Sequence, residues 1–209
     1  MKNLRISGRI WAMATLISAD DIKTELPGYD PEHAGEFHEA SAKLADKRFE
    51  EFLKTTPYKP VILMSGGPAS GKTEFVSEYL MDKDFLIFDG ILPTEHGASI
   101  KIDRIKKAGK IPMIYAVWPQ DLRQAYVAFL HRDRKYSDEH FYTKHASARK
   151  TLLSIALEYP DVEIKVYKNA YLEDDLSFTE IQFDARNDLI AFLEDNQYTK
   201  EEIIQLVTQ

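Results

Sequence analysis

The sequence predicts an α/β protein of three layers built on a mostly parallel sheet. Short apolar runs of strand length alternate with stretches of helical periodicity. A glycine-rich turn stands between one such strand and the helix after it. The chain has 209 residues, 44% of them hydrophobic and 29% charged, which is enough apolar material for a buried core. We expect a single domain over residues 1–209, with its core at about 10–168 and a C-terminal appendage at about 170–209.

The elements follow in order. Residues 10–18 read as a buried strand that delivers Asp20-Asp21 to its carboxyl end. Lys2, Arg5 and Arg9 ahead of this apolar run also imitate a short signal peptide, and the sequence downstream favours the strand. Glu32 to Lys54 carries Phe37, Ala40, Leu44, Phe49 and Phe52 at near-helical spacing, and Pro57 and Pro60 end that helix. Val61 to Met64 is a continuous apolar run, as in strands covered on both faces. A helix to about Met81 follows the glycine-rich turn, then a strand at Phe85 to Phe88 and a helix at 94–108 stopped by Gly109. Ile111 to Val117 is a strand, 121–133 a helix, 138–158 a helix and Val162 to Tyr167 a strand. Phe178 to Phe183 reads as an edge strand, with helices at about 184–195 and 199–207.

Composition excludes several chemistries. Without cysteine there is no disulfide scaffold, no thiolate metal site and no thiol catalysis. A net charge of −7 argues against nucleic acid as a partner, and no apolar stretch reaches the length of a membrane span. His140 and His145 are spaced by five, as are His33 and His38, so neither pair shares one helical face as zinc ligands do. Surface or pocket-wall roles are the default for the histidines. Trp118 is a core candidate that also stands near a strand end, where a base could stack. Glu173-Asp174-Asp175 reads as a solvated turn.

Gly66-Gly67-Pro68-Ala69-Ser70-Gly71-Lys72-Thr73 fits the phosphate-binding pattern G-x-x-x-x-G-K-[ST], after an apolar strand and before a helix. Its backbone N–H groups and the helix start would cradle phosphate oxygens. Lys72 would reach the β- and γ-phosphates, and the Thr73 hydroxyl would serve Mg²⁺. ATP or GTP binding follows. The chain's short length favours transfer to a small acceptor, which needs a second pocket and a base.

The segment Asp20-Asp21-Ile22-Lys23-Thr24-Glu25-Leu26-Pro27-Gly28-Tyr29-Asp30 resembles the acceptor site of the zeta-toxin family, D-x-[IF]-K-x-x-x-P-x-[YF]-D. Phe88-Asp89-Gly90-Ile91-Leu92-Pro93-Thr94, running on to Lys110, is similar to the family's strand-end D/E-G-T segment, with Ile91 where the family usually carries Thr. Arg132-Asp133-Arg134-Lys135 resembles its phosphate-clamping arginines. The resemblance spans about residues 17–168 and implies a P-loop kinase-like fold, ATP and Mg²⁺ as cofactors, and phosphorylation of a nucleotide sugar such as UDP-N-acetylglucosamine in the cytoplasm. It also implies an antitoxin as protein partner. Here the acceptor segment precedes the phosphate loop rather than following it, a permuted order that would preserve the sheet if its strand inserts beside the phosphate-loop strand.

On this reading Asp20 is the base, with an N-cap as its plainer role and Asp21 as rival for that cap. Asp20, Lys23 and Pro27 form the acceptor side. Asp89 is a metal-facing acid or a turn former. Arg132 and Arg134 either offset charge on the transferring phosphoryl group or form a solvated helix-end cluster. Two alternatives stand beside this reading: a polynucleotide 5′-hydroxyl or antibiotic kinase, and a non-catalytic ATP-binding module.

Overall fold

The computed structural model describes residues 13–172 and 175–209. Its elements are β1 (Thr15–Ser18), α1 (Ala19–Thr24), a 3₁₀ turn at Pro31–His33, α2 (His38–Thr55), β2 (Pro60–Ser65), α3 (Lys72–Tyr79), β3 (Leu86–Asp89) and α4 (Glu95–Lys107). These are followed by β4 (Ile111–Pro119), α5 (Leu122–Leu130), α6 (Asp138–Glu158), β5 (Glu163–Leu172), β6 (Asp175–Ile181), α7 (Arg186–Asp195) and α8 (Lys200–Thr208). Among the described residues the strands form one six-stranded sheet in the order β1-β3-β2-β4-β5-β6, parallel throughout except for the final antiparallel pair. The architecture is the expected α/β one.

Alternation along β2 shows how the layers form. Val61 and Leu63 point into one core with Phe49 of α2, Ile102 of α4, Ile155 of α6 and Leu193 of α7. Ile62 and Met64 point to the opposite face, where α3 supplies Phe75 and Val76. All four strand side chains are fully buried, each contributing roughly 1.5–3 kcal/mol. A third cluster joins α5, α6 and α8 through Phe129, Phe141 and Ile203. No helix among the described residues is long and apolar enough to cross a membrane.

Several expectations need correction. β1 does not insert beside the phosphate-loop strand: it pairs with β3, from Thr15 opposite Leu86 to Ser18 opposite Asp89, and β2 lies between β3 and β4. Residues 10–12 of the expected strand, and the basic residues before them, lie outside the described residues, as do Glu173 and Asp174. The helix expected from Glu32 is two pieces, because Asp30 caps a separate 3₁₀ turn before α2 starts at His38. The helix expected to reach residue 133 stops at Leu130, so Arg132 joins Arg134 in the loop that follows. β5 runs on to Leu172 because β6 pairs with it as a hairpin from Val166 opposite Ile181 to Leu172 opposite Asp175. Trp118 is buried, stacked on Phe192 with its ring centroid 4.2 Å from the Arg149 guanidinium, so no base reaches it.

Candidate active site

The carboxyl ends of β1, β2 and β3 open onto one cavity of about 490 Å³, the size of a small-molecule site. The phosphate-type loop forms one wall. At Gly66 (φ +137°) a Cβ would stand 2.3 Å from the Val117 carbonyl oxygen, and at Gly67 one would stand 2.3 Å from the His145 ring. These contacts explain why both positions are glycine.

Three consecutive loop carbonyls are tied to side chains from distant elements. His145 Nε2 donates to Pro68 at 2.9 Å, the Tyr171 hydroxyl to Ala69 at 2.8 Å, and Asn169 Nδ2 to Ser70 at 2.7 Å. In a planar trans peptide the N–H points opposite to the C=O, so the N–H groups of Ala69, Ser70 and Gly71 are turned the other way, where an anion can meet them. Ala69 holds this geometry at φ +54°, a left-handed conformation that costs a non-glycine residue about 1–2 kcal/mol. Burial of His145 pushes its imidazole down to about 3, helped by nearby Arg149, so a neutral ring supplies the N–H.

Lys72 opens α3 and folds back over the loop. Its ammonium donates to the carbonyls of Gly66 and Gly67, both at 2.9 Å, and to Ser70 Oγ at 3.3 Å. Burial lowers its pKa, against the pull of Asp89. Thr73 Oγ1 lies 3.5 Å from Asp89 Oδ2. Burial pushes the Asp89 carboxyl up to about 6, although Lys72 opposes it. No group of three or more His, Cys, Asp or Glu residues among the described ones could hold a metal by itself. The hard oxygens of Thr73 and Asp89 fit Mg²⁺, which takes few protein ligands and completes its shell with phosphate oxygens and water.

Asp20 lines the cavity together with the loop. The N-cap of α1 is Ser18, whose hydroxyl accepts from Asp21 N at 3.2 Å, so neither Asp20 nor Asp21 is consumed as cap. Asp20 instead meets Lys23 Nζ at 3.2 Å and Arg134 Nη1 at 2.9 Å. Burial alone would raise its carboxyl, but Arg134, Lys23 and Arg132 together hold it below the usual carboxylate range. Lys23 is fully buried, under the Tyr136 ring and bonded to its hydroxyl. Pro27 is exposed and lies outside the cavity lining. Arg132 lines the cavity; Arg134 does not. Ile91 is also in the lining and brings no hydroxyl there.

The structure adds residues that sequence reasoning missed. His145, Asn169 and Tyr171 carry no local motif, and their signal is only their place on the helix and strand that pack against the loop. His38 and His140 line the cavity, in keeping with the surface or pocket-wall roles expected of the histidines, and burial lowers both imidazoles, His140 to about 4. On the same side Asp46 of α2 and Lys101 of α4 pair at 2.7 Å, with the Lys101 ammonium 4.8 Å from the Phe88 ring centroid.

No protein-family profile and no curated protein matches the sequence. Among solved structures, a chain of the AvrRxo1-ORF1:AvrRxo1-ORF2 complex with sulphate ions is similar, with a TM-score of 0.51 and 11% identity over 84% of this chain and 75% of that one. A chain of the AvrRxo1-ORF1:-ORF2 complex with ATP gives a TM-score of 0.51 and 11% identity over 83% and 74%. A chain of the PezAT chromosomal toxin–antitoxin system of Streptococcus pneumoniae gives 0.46 and 12% over 93% and 73%. At this identity the AvrRxo1 matches show a shared fold.

Proposed function

We propose that this chain is an ATP-dependent phosphotransferase acting on a hydroxyl of a small molecule, with a nucleotide sugar such as UDP-N-acetylglucosamine as the acceptor class. One observation carries the reading: Asp20 and the phosphate-type loop line the same cavity, fed by parallel strands of one sheet with β3 between them. The fold shared with a complex that holds ATP supports it. Residues 1–209 would act as one catalytic domain, in the cytoplasm where ATP is supplied, and the two-component AvrRxo1 complex makes a neutralising antitoxin a reasonable partner to seek.

In this mechanism the loop N–H groups and Lys72 bind the phosphates of ATP, with Lys72 exchanging its loop carbonyls for phosphate oxygens. Thr73 and Asp89 would hold Mg²⁺, which supplies charge neutralisation on the phosphates when bound. Asp20 orients the acceptor hydroxyl and accepts its proton as the new O–P bond forms and the bond between the γ-phosphorus and the bridging oxygen breaks, releasing ADP. A carboxylate of lowered pKa is a weak base, which suffices where the transition state is loose and orientation matters most. Arg132 offsets charge on the moving group.

The test incubates the purified chain with ATP, Mg²⁺ and a panel of nucleotide sugars, following ADP release and the mass of the acceptor. We expect transfer in the wild type, loss of transfer with retained ATP binding in Asp20→Asn, and loss of both in Lys72→Ala. Full activity in Asp20→Asn removes Asp20 as base, and absence of ATP binding in the wild type overturns the reading.

A further inference from the structure

The two arginines singled out in the sequence stand two residues apart yet face different things. Arg132 lines the cavity, whereas Arg134 sits outside the lining with Nη1 2.9 Å from Asp20 Oδ2. The other oxygen of the same carboxylate, Oδ1, meets Lys23 Nζ at 3.2 Å. Lys23 is itself immobilised, buried and bonded to the Tyr136 hydroxyl, in the same loop as Arg134. Asp20 is therefore gripped at both oxygens, by a cation of its own helix and by a cation of the loop between α5 and α6.

We propose that Arg134 is a positioning residue for Asp20, fixing the carboxylate's rotation and charge, and that Arg132 alone of the two meets the transferring phosphoryl group. The inference rests on the kinase reading above. A carboxylate that pivots about its terminal torsion presents its lone pairs in many directions, because that torsion is broad. Two charge-assisted contacts, one to each oxygen, restrict that pivot and leave further lone pairs for an acceptor hydroxyl. Misplacing a reacting group by about 1 Å can cost on the order of a hundredfold in rate.

The electrostatic surroundings point the same way. Asp89 of β3 acts against the charged carboxylate, while Lys72 of α3 and Arg132 act for it. His38 of α2 and His140 of α6 couple to Asp20 more weakly, and burial keeps both imidazoles neutral near pH 7. The charge of Arg134 leads the contributions favouring the anion, followed by the charge and the hydrogen bond of Lys23 and then by Arg132. Its removal leaves burial less opposed.

The experiment compares Arg134→Gln, Arg134→Lys and Arg132→Gln in the full chain by two readouts. Calorimetry with ATP and Mg²⁺ should give a Kd within about twofold of wild type for both Arg134 variants and a Kd weaker by about tenfold or more for Arg132→Gln, as losing a charge-assisted contact predicts. Titration of the Asp20 carboxyl by carbon NMR on the nucleotide-free chain should show its pKa raised in Arg134→Gln, returned toward wild type in Arg134→Lys, and moved less in Arg132→Gln. Arg134→Gln weakening ATP binding as much as Arg132→Gln overturns the division of labour. An unmoved Asp20 titration in Arg134→Gln overturns the positioning role. A wild-type chain that binds no ATP overturns the kinase reading and the assignment of Arg132 with it, while the Asp20 titration still decides the coupling to Arg134.

Discussion

The two walls of the cavity are held by different forces. The loop wall is held through its backbone: neutral donors from His145, Tyr171 and Asn169 grip its carbonyls, and glycines admit the close approach. The wall that carries Asp20 is held by charge, with Asp20 between Lys23 and Arg134, and Asp46 against Lys101. Shape and burial set the first arrangement, so it tolerates changes of salt and resists changes of volume. Coulombic balance sets the second, which tolerates modest changes of volume and resists changes of charge.

The sharpest way to break this contrast is Gly67→Ala. Its methyl would enter the His145 ring, and we expect ATP binding to fall by more than about a hundredfold in calorimetry while Asp20 titrates as before. Next in size is Asp20→Asn, isosteric but uncharged, which should lower phosphoryl transfer by roughly 10²–10⁴-fold with nucleotide affinity retained. A third prediction concerns pH. The unfolded chain protonates His145 near 6.5, whereas the folded chain resists down to about 3, so in that window the unfolded state binds the extra proton. The contribution of His145 to stability is complete above pH 6.5 and is lost as pH falls, by up to about 1.4 kcal/mol per pH unit. His145→Gln, which keeps a donor for Pro68, should flatten that part of the stability curve in urea unfolding between pH 7 and 4. The smallest effect is expected for Asp46→Asn: its partly exposed pair with Lys101 is worth about 0.2–1 kcal/mol, a fall in Tm of at most about 4 °C.

The same contrast explains what could be read from the chain. The loop was legible because its constraints act on neighbours in sequence: turning a backbone around phosphate demands glycine at fixed spacing after a strand. The alternating layers were legible because Val61 to Met64 must be apolar on both faces. Asp20 was found through a linear pattern, but its partner Arg134 follows a segment, 131–133, that the apolar periodicity of 121–133 disguised as helix. That run is amphipathic up to Leu130, and nothing local announces where packing stops. The supports of the loop were hidden for a related reason. His145, Asn169 and Tyr171 meet it only once α6 and β5 have folded against β2 and β4, and such contacts leave no trace in spacing. The place of β1 at the sheet edge was likewise undetermined, since an apolar strand fits beside either neighbour until register decides.

The pairing of β1 with β3 also has a temporal side. On the ribosome, β1 and Asp20 emerge ahead of the strand they need as partner, which follows only after α2, β2 and α3. Arg134 and Tyr136, which complete the setting of Asp20 and Lys23, are made later still. Closing so long a segment is slow compared with forming the helices within it. The setting of Asp20 is thus completed late in synthesis, and His145, Asn169 and Tyr171, which tie down the loop carbonyls, arrive after it.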